Sequence, residues 1–260
     1  MTSTTAYGTL YGISVGPGDP ELLTVKGLRL LQQAPIVAFP AGVRGKPGFA
    51  EQAIAQWLQP NQIQLPLTFP YVQDTEVLRA AWQLAADQIW SYLAQGQDVA
   101  FASEGDVSFY STFTYLAQTL QQSHPQVSIQ AIPGVCSPLA SAAALGIPLT
   151  FRQQRLVVLP ALYTVTELET VLPWADVVVL MKVSSVYAQV WKLLQQYDLL
   201  PHSYAIAWAT LPQQRIYTHL QTQPDLELPY FSLLIVQVTA KAQASGVLTK
   251  PMIDSAESDF

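Results

Sequence analysis

The sequence predicts an α/β fold in two domains. The first is a mostly parallel sheet interleaved with helices, and the second is a mixed α+β sheet. Three observations carry this prediction. Short β-prone apolar runs alternate with amphipathic helical stretches in the first half, the pattern of β-α-β units. In the second half strands follow one another without a full helix between them. The chain of 260 residues, half of them hydrophobic, is long enough to bury two such cores.

The elements follow in order. Residues 9–15 (TLYGISV) form a first strand, and Asp19-Pro20 supplies an N-cap with proline at the first helical position. Leu23, Gly27, Leu30, Leu31 and Ala34 then share one helical face, and Pro35 ends that helix. Residues 36–39 form the next strand, 51–58 a short helix and 62–65 a third strand. Asp74 caps a long helix with a stripe of Leu78, Trp82, Ala85, Ile89 and Leu93, and Gly96 ends it. Residues 98–102 and 127–132 are strands, and a small-residue helix over 138–145 ends at Gly146. Later strands fall at 155–159, 176–181, 203–209, 214–219 and 230–238, and later helices at 166–172 and 184–196. The domains are 1–134 and 135–242, with 243–260 a flexible tail.

Composition excludes several classes. Net charge is −6 with only twelve Lys and Arg and no basic cluster, which argues against a nucleic-acid partner. No apolar run approaches the roughly 20 residues that cross a bilayer, and the first residues lack the basic and apolar parts of a signal peptide. The single cysteine, Cys136, forbids an intrachain disulfide, and a cytoplasmic location is expected. His124, His202 and His219 are scattered, with no metal-ligand spacing and no Ser-His-Asp order, so no metal site is expected.

Three loops stand where an α/β sheet binds ligands, after the carboxyl ends of strands. The first runs from Val15 through Gly16-Pro17-Gly18-Asp19-Pro20. It is neither a dinucleotide fingerprint nor a P-loop, and alone it reads equally as a capped strand-to-helix turn. The second runs from Ser103-Glu104-Gly105-Asp106-Val107 to Thr112; alone, Asp106 shapes a turn and Ser111 or Thr112 caps a helix. The third is Pro133-Gly134-Val135-Cys136-Ser137, in which Cys136 reads as a small buried hydrophobe.

Together these loops, SVGPGDPELLTVKGL, ASEGDVSFYSTF and IPGVCSPLASAAALGIPLT, resemble those of the tetrapyrrole methylases. VVVLMK over 177–182 and YFSLLIV over 230–236 extend the resemblance to nearly the whole chain. Within the family, the FYSTF and YFSLLIV forms look most like the enzymes that methylate precorrin-2 at carbon 20, giving precorrin-3A in cobalamin synthesis.

The resemblance implies two α/β domains with the active site in a cleft between them, a homodimer, and S-adenosylmethionine as methyl donor to a tetrapyrrole substrate. It implies that Pro17 lies beside the donor, that Glu104, Gly105 and Asp106 hold it, and that Phe109 packs nearby. Cys136 and Ser137 would face it, and Met181 and Ala209 would enclose it. The chain departs from the family at Val107, where proline is usual and where some loop rigidity is expected to be lost, and at Cys136, often a hydroxyl residue. Pro40 stands where relatives acting on uroporphyrinogen carry an aspartate proposed as proton acceptor, so no catalytic base is carried over.

Such a substrate bears many carboxylates, and binding it needs local cations. Arg44, Lys46, Arg152, Arg155, Lys182 and Arg215 are candidates, each alone reading as a solvated charge. Arg44 and Lys46 are singled out because they lie in a glycine-rich loop after the second strand. Two rival readings remain: a methylase of the same fold with another acceptor (a different ring position, ribosomal RNA or a modified histidine), and a non-catalytic module that binds S-adenosylmethionine.

Overall fold

The computed structural model describes residues 7–42, 46–70, 72, 74–160 and 164–239. Arg44 and the predicted tail at 243–260 lie outside the described residues. The chain divides into two compact units, Met1–Cys136 and Ser137–Phe260.

The first unit is built on five parallel strands: β1 (Thr9–Ser14), β2 (Ile36–Pro40), β3 (Ile63–Leu67), β4 (Val99–Ser103) and β5 (Ser128–Ile132). They lie in the order β3-β2-β4-β1-β5, with Ser14 opposite Ser103 and Ile13 opposite Ile132. Among the described residues four α-helices belong to this unit: α1 (Val25–Gln33), α2 (Phe49–Ile54), α3 (Thr75–Leu93) and α4 (Thr112–Ser123). Both sheet faces are covered, which is why the central strands read as continuous apolar runs. Leu10, Ile36, Val99 and Phe101 pack with Ile89, Leu93, Leu116 and Leu120 of α3 and α4. On the other face Ile13, Val37, Phe39 and Ala100 pack with Leu31 of α1 and Ile54 of α2. Each fully buried large side chain contributes about 1.5–3 kcal/mol.

The first helix starts later than predicted. Asp19 does accept from the Glu21 amide, but it caps only a single 3-10 turn, Pro20–Leu22. Leu23 is extended, and Thr24 starts α1 with its hydroxyl accepting from the Gly27 amide. Two cap residues stand in tandem, and the second begins the regular helix. Elsewhere local chemistry decides as expected: Asp74 caps α3 through the amides of Glu76 and Val77, and Gly96 follows with φ of +78°.

The second unit carries the mixed sheet that the sequence predicts. Its strands are β6 (Leu156–Leu159), β7 (Val177–Met181), β8 (Ser203–Ala207), β9 (Arg215–Tyr217) and β10 (Ser232–Gln237), in the order β6-β7-β10-β8-β9. β6 and β7 are parallel, while β10 runs antiparallel to both β7 and β8, and β9 antiparallel to β8. The carboxyl ends of β6, β7 and β8 therefore share one sheet edge with the starts of β9 and β10. α5 (Ser137–Leu145) belongs to the face that buries Val177, Val179, Ile206 and Ile235. α6 (Thr166–Val171) and α7 (Tyr187–Gln196) belong to the other face, with Val178, Leu180, Ala205 and Leu234. Among the described residues no helix is long and apolar enough to cross a membrane.

Candidate active site

β4, β1 and β5 are neighbours and run in the same direction, so the three predicted loops emerge side by side from one edge of the first sheet. The first two continue pairing past their strands. The Val15 amide donates to Ser103 O (2.9 Å), and Gly16 and Gly105 exchange backbone hydrogen bonds of 3.2 and 2.8 Å. Both glycines turn through the left-handed region, with φ of +78° and +68°, which side chains other than glycine adopt at a cost. A Cβ added at Gly105 would meet nothing within 4 Å, so the backbone there borders open space that another molecule can approach.

Two buried side chains tie the loops together. Ser14 is fully buried at the end of β1, and its hydroxyl donates to Ile132 O (2.7 Å) and accepts from the Val107 amide (2.9 Å). Asp106 accepts from the amides of Ser108 (2.8 Å) and Gly134 (2.7 Å) and from the Ser108 hydroxyl, with the Ser14 hydroxyl 3.5 Å away. Burial alone would raise the Asp106 pKa, but the hydrogen bonds from Ser108, Gly134 and Ser14 prevail and hold it below the usual carboxylate range. Gly134 is needed for contact rather than conformation, since a Cβ there would stand 2.5 Å from Ser14 Cβ. A second hydroxyl pair, Ser103 and Ser111 at 2.7 Å, fixes the start of α4, where Ser111 also accepts from the Phe113 amide (3.1 Å).

The expectation for Val107 is revised by this geometry. Its side chain is buried and its amide reaches Ser14, a bond that a proline in that place lacks the hydrogen to make. What the loop loses in fixed φ is offset by a tether to the neighbouring strand.

The structure gathers Pro17, Glu104, Gly105, Asp106, Phe109 and Cys136 on the loops of the first unit, all but Asp106 half-buried. The Asp106 carboxylate points into the loop network. Ser137, Met181 and Ala209 belong to the second unit; Met181 ends β7, and Ala209 lies just past β8, both half-buried. Lys46 is exposed. Ser14 and Ser108 escaped the sequence reading. No group of His, Cys, Asp and Glu among the described residues is arranged to hold a metal ion.

Comparison with known proteins fits this arrangement. The family model of the tetrapyrrole (corrin/porphyrin) methylases matches residues 9–223, most of the chain. The chain belongs to this family. Among curated tetrapyrrole methylases it is 33% identical over 230 residues to the cobalt-precorrin-2 C(20)-methyltransferase of Salmonella typhimurium, covering 88% of this chain and 96% of that one. It is 31% identical over 237 residues to the precorrin-2 C(20)-methyltransferase of a Sinorhizobium species, covering 88% and 95%. The fold is shared with the uroporphyrin-III C-methyltransferase of Thermus thermophilus in complex with S-adenosylhomocysteine, with a TM-score of 0.60 at 21% identity, covering 90% of this chain and all of that one.

Proposed function

We propose that this tetrapyrrole methylase transfers a methyl group from S-adenosylmethionine to carbon 20 of precorrin-2 or of its cobalt-loaded form. The observation that carries the reading is near full-length similarity to two methyltransferases named for that position. S-adenosylhomocysteine, held by a protein of the same fold, supports the methyl donor.

The loop edge of the first unit fits such a donor. It offers open space over Gly105 and half-buried Pro17, Glu104 and Phe109 around it. S-adenosylmethionine supplies an activated methyl on a sulfonium, so the protein's task is to align it with a carbon nucleophile and exclude water. The reaction forms one carbon–carbon bond at carbon 20 and breaks one carbon–sulfur bond, whose electron pair stays on sulfur. The ring then releases the proton of carbon 20. Asp106 is a poor acceptor for that proton, because its carboxylate is engaged by three donors and its pKa is lowered. Its place in the mechanism is to keep the second loop registered with the first and third. A homodimer is part of the same proposal, and light scattering at twice the chain mass would support it.

The test is anaerobic incubation with S-adenosylmethionine and freshly made precorrin-2, with the cobalt-loaded ring in parallel. One added methyl located at carbon 20, with equal S-adenosylhomocysteine, is expected, and the faster ring identifies the substrate form. No methyl gain on either ring with donor binding intact would overturn the assignment. It would favour a different acceptor or a donor-binding module.

A further inference from the structure

The edge of the second sheet that carries Met181 and Ala209 also carries two cations in an unusual setting. Lys182 follows Met181, and its ammonium stands 5.5 Å from the centre of the Tyr230 ring. Arg215 opens β9, and its guanidinium stands 5.8 Å from the centre of the Trp208 ring. Neither has an ion-pair partner among the described residues, and both are exposed. Arg155, by contrast, is tied to Asp176 at 2.9 Å.

Topology brings these groups together. The Lys182 amide donates to Ser232 O and the Trp208 amide to Phe231 O, from opposite sides of the start of β10. Arg215 pairs with Ala207, which pairs with Ser232. Lys182 and Arg215 thus end up three strand spacings apart at one edge, roughly 14 Å between backbones. The backbone at this edge is strained: Lys182, Trp208 and Thr210 all have φ between +51° and +67°, though none is glycine. Such outliers concentrate at binding sites, where side-chain placement outweighs local cost.

We propose that Lys182 and Arg215 form a carboxylate-binding edge for the acidic side chains of a polycarboxylate macrocycle, resting on the methyltransferase reading above. The aromatic rings favour defined places for the two exposed cations. Guanidinium and ammonium are the groups that take carboxylates, Arg in a bidentate way and Lys as a point charge. In a chain with a net charge of −6, a pair of cations without acidic partners among the described residues gives a polyanion a local place to bind. Arg152 supplies an internal control. It also lies over an aromatic ring, that of Phe151, at 5.4 Å, but it precedes β6 and so belongs to the opposite edge of the sheet.

The experiment compares Lys182→Met, Arg215→Met, the double variant, Lys182→Arg and Arg152→Met. The readouts are KM for the ring, kcat, calorimetric affinity for S-adenosylhomocysteine, and direct binding of an octacarboxylate porphyrin against its neutral methyl ester. Removal of each cation is expected to raise KM and weaken porphyrin binding about tenfold, the effect of one lost charge-assisted contact. S-adenosylhomocysteine affinity should hold, Lys182→Arg, which keeps the charge, should bind the porphyrin more tightly than Lys182→Met, and Arg152→Met should match the parent. Equal binding of acid and ester by the parent, or unchanged KM and porphyrin binding in the double variant, overturns the proposal. If the parent methylates no ring yet binds the acid through these two cations, the assigned reaction fails while the carboxylate edge stands.

Discussion

The loops after β1 and β4 turn through the left-handed region mainly on glycines, Gly16 and Gly105, with Tyr110 further along. The edge of the second sheet does so on Lys182, Trp208 and Thr210. The first edge spends its polar groups on itself: Ser14, Asp106, Ser103 and Ser111 bond to neighbouring loops and strands. The second presents charged groups outward over aromatic rings. The contrast separates two ways of making a surface. An edge whose donors and acceptors are internally matched is rigid and presents shape, whereas an edge that holds costly backbone conformations presents chosen side chains.

The largest effect is expected at the centre of the matched edge. Ser14→Ala takes the hydroxyl partner from the buried Val107 amide and Ile132 carbonyl and should cost about 3 kcal/mol, read by urea unfolding. A cost under about 0.5 kcal/mol would mean that the loops do not depend on this hydroxyl.

Asp106→Asn should cost about 2 kcal/mol at neutral pH, since hydrogen bonds to a charged acceptor are lost. The sign with pH follows from the lowered pKa. The stabilisation from Asp106 is complete above the unfolded value near 3.9 and disappears as pH falls through the folded value. The difference between parent and variant, followed by thermal melting from pH 7 to pH 2, should therefore shrink only below about pH 4.

Val107→Pro deletes one amide donor and should cost about 1 kcal/mol. Combined with Ser14→Gly it should cost less than the two changes summed, because both remove the same bond. Additive costs would show that the tether is energetically idle.

The smallest effect has the opposite sign. Thr210→Gly should stabilise the second unit by about 1 kcal/mol by relieving a left-handed residue, seen as a higher denaturation midpoint. A loss of stability would show that the edge is held by the Thr210 side chain rather than strained by it.

Much of this architecture is legible in the sequence because it depends on local patterns. Apolar runs bounded by Gly and Pro mark the strands, and the mixed second sheet follows from strands without intervening helices. The start of α1 is misplaced because Asp19 satisfies the same local rule as Thr24, and only the extended Leu23 between them decides. Ser14 stays hidden because in Ile-Ser-Val it is one more strand residue; its partners lie 93 and 118 positions away. Val107 reads as a loss beside proline, since the value of its amide exists only when β1 lies alongside. Lys182 and Arg215 look like any other cations until their rings are seen.

The separation between Ser14 and Ile132 bears on how the protein comes into being. Bonds that close 118 residues of chain make a high-contact-order junction, with a loop-closure entropy that local contacts do not offset in advance. During synthesis the loops after β1 and β4 exist before β5 leaves the ribosome, and until then Ser14 lacks its Ile132 acceptor and Asp106 lacks the Gly134 amide. The three-loop junction is thus completed only when β5 joins, and a nascent chain truncated before Ile132 would hold two of the three loops yet lack the junction that sets their spacing.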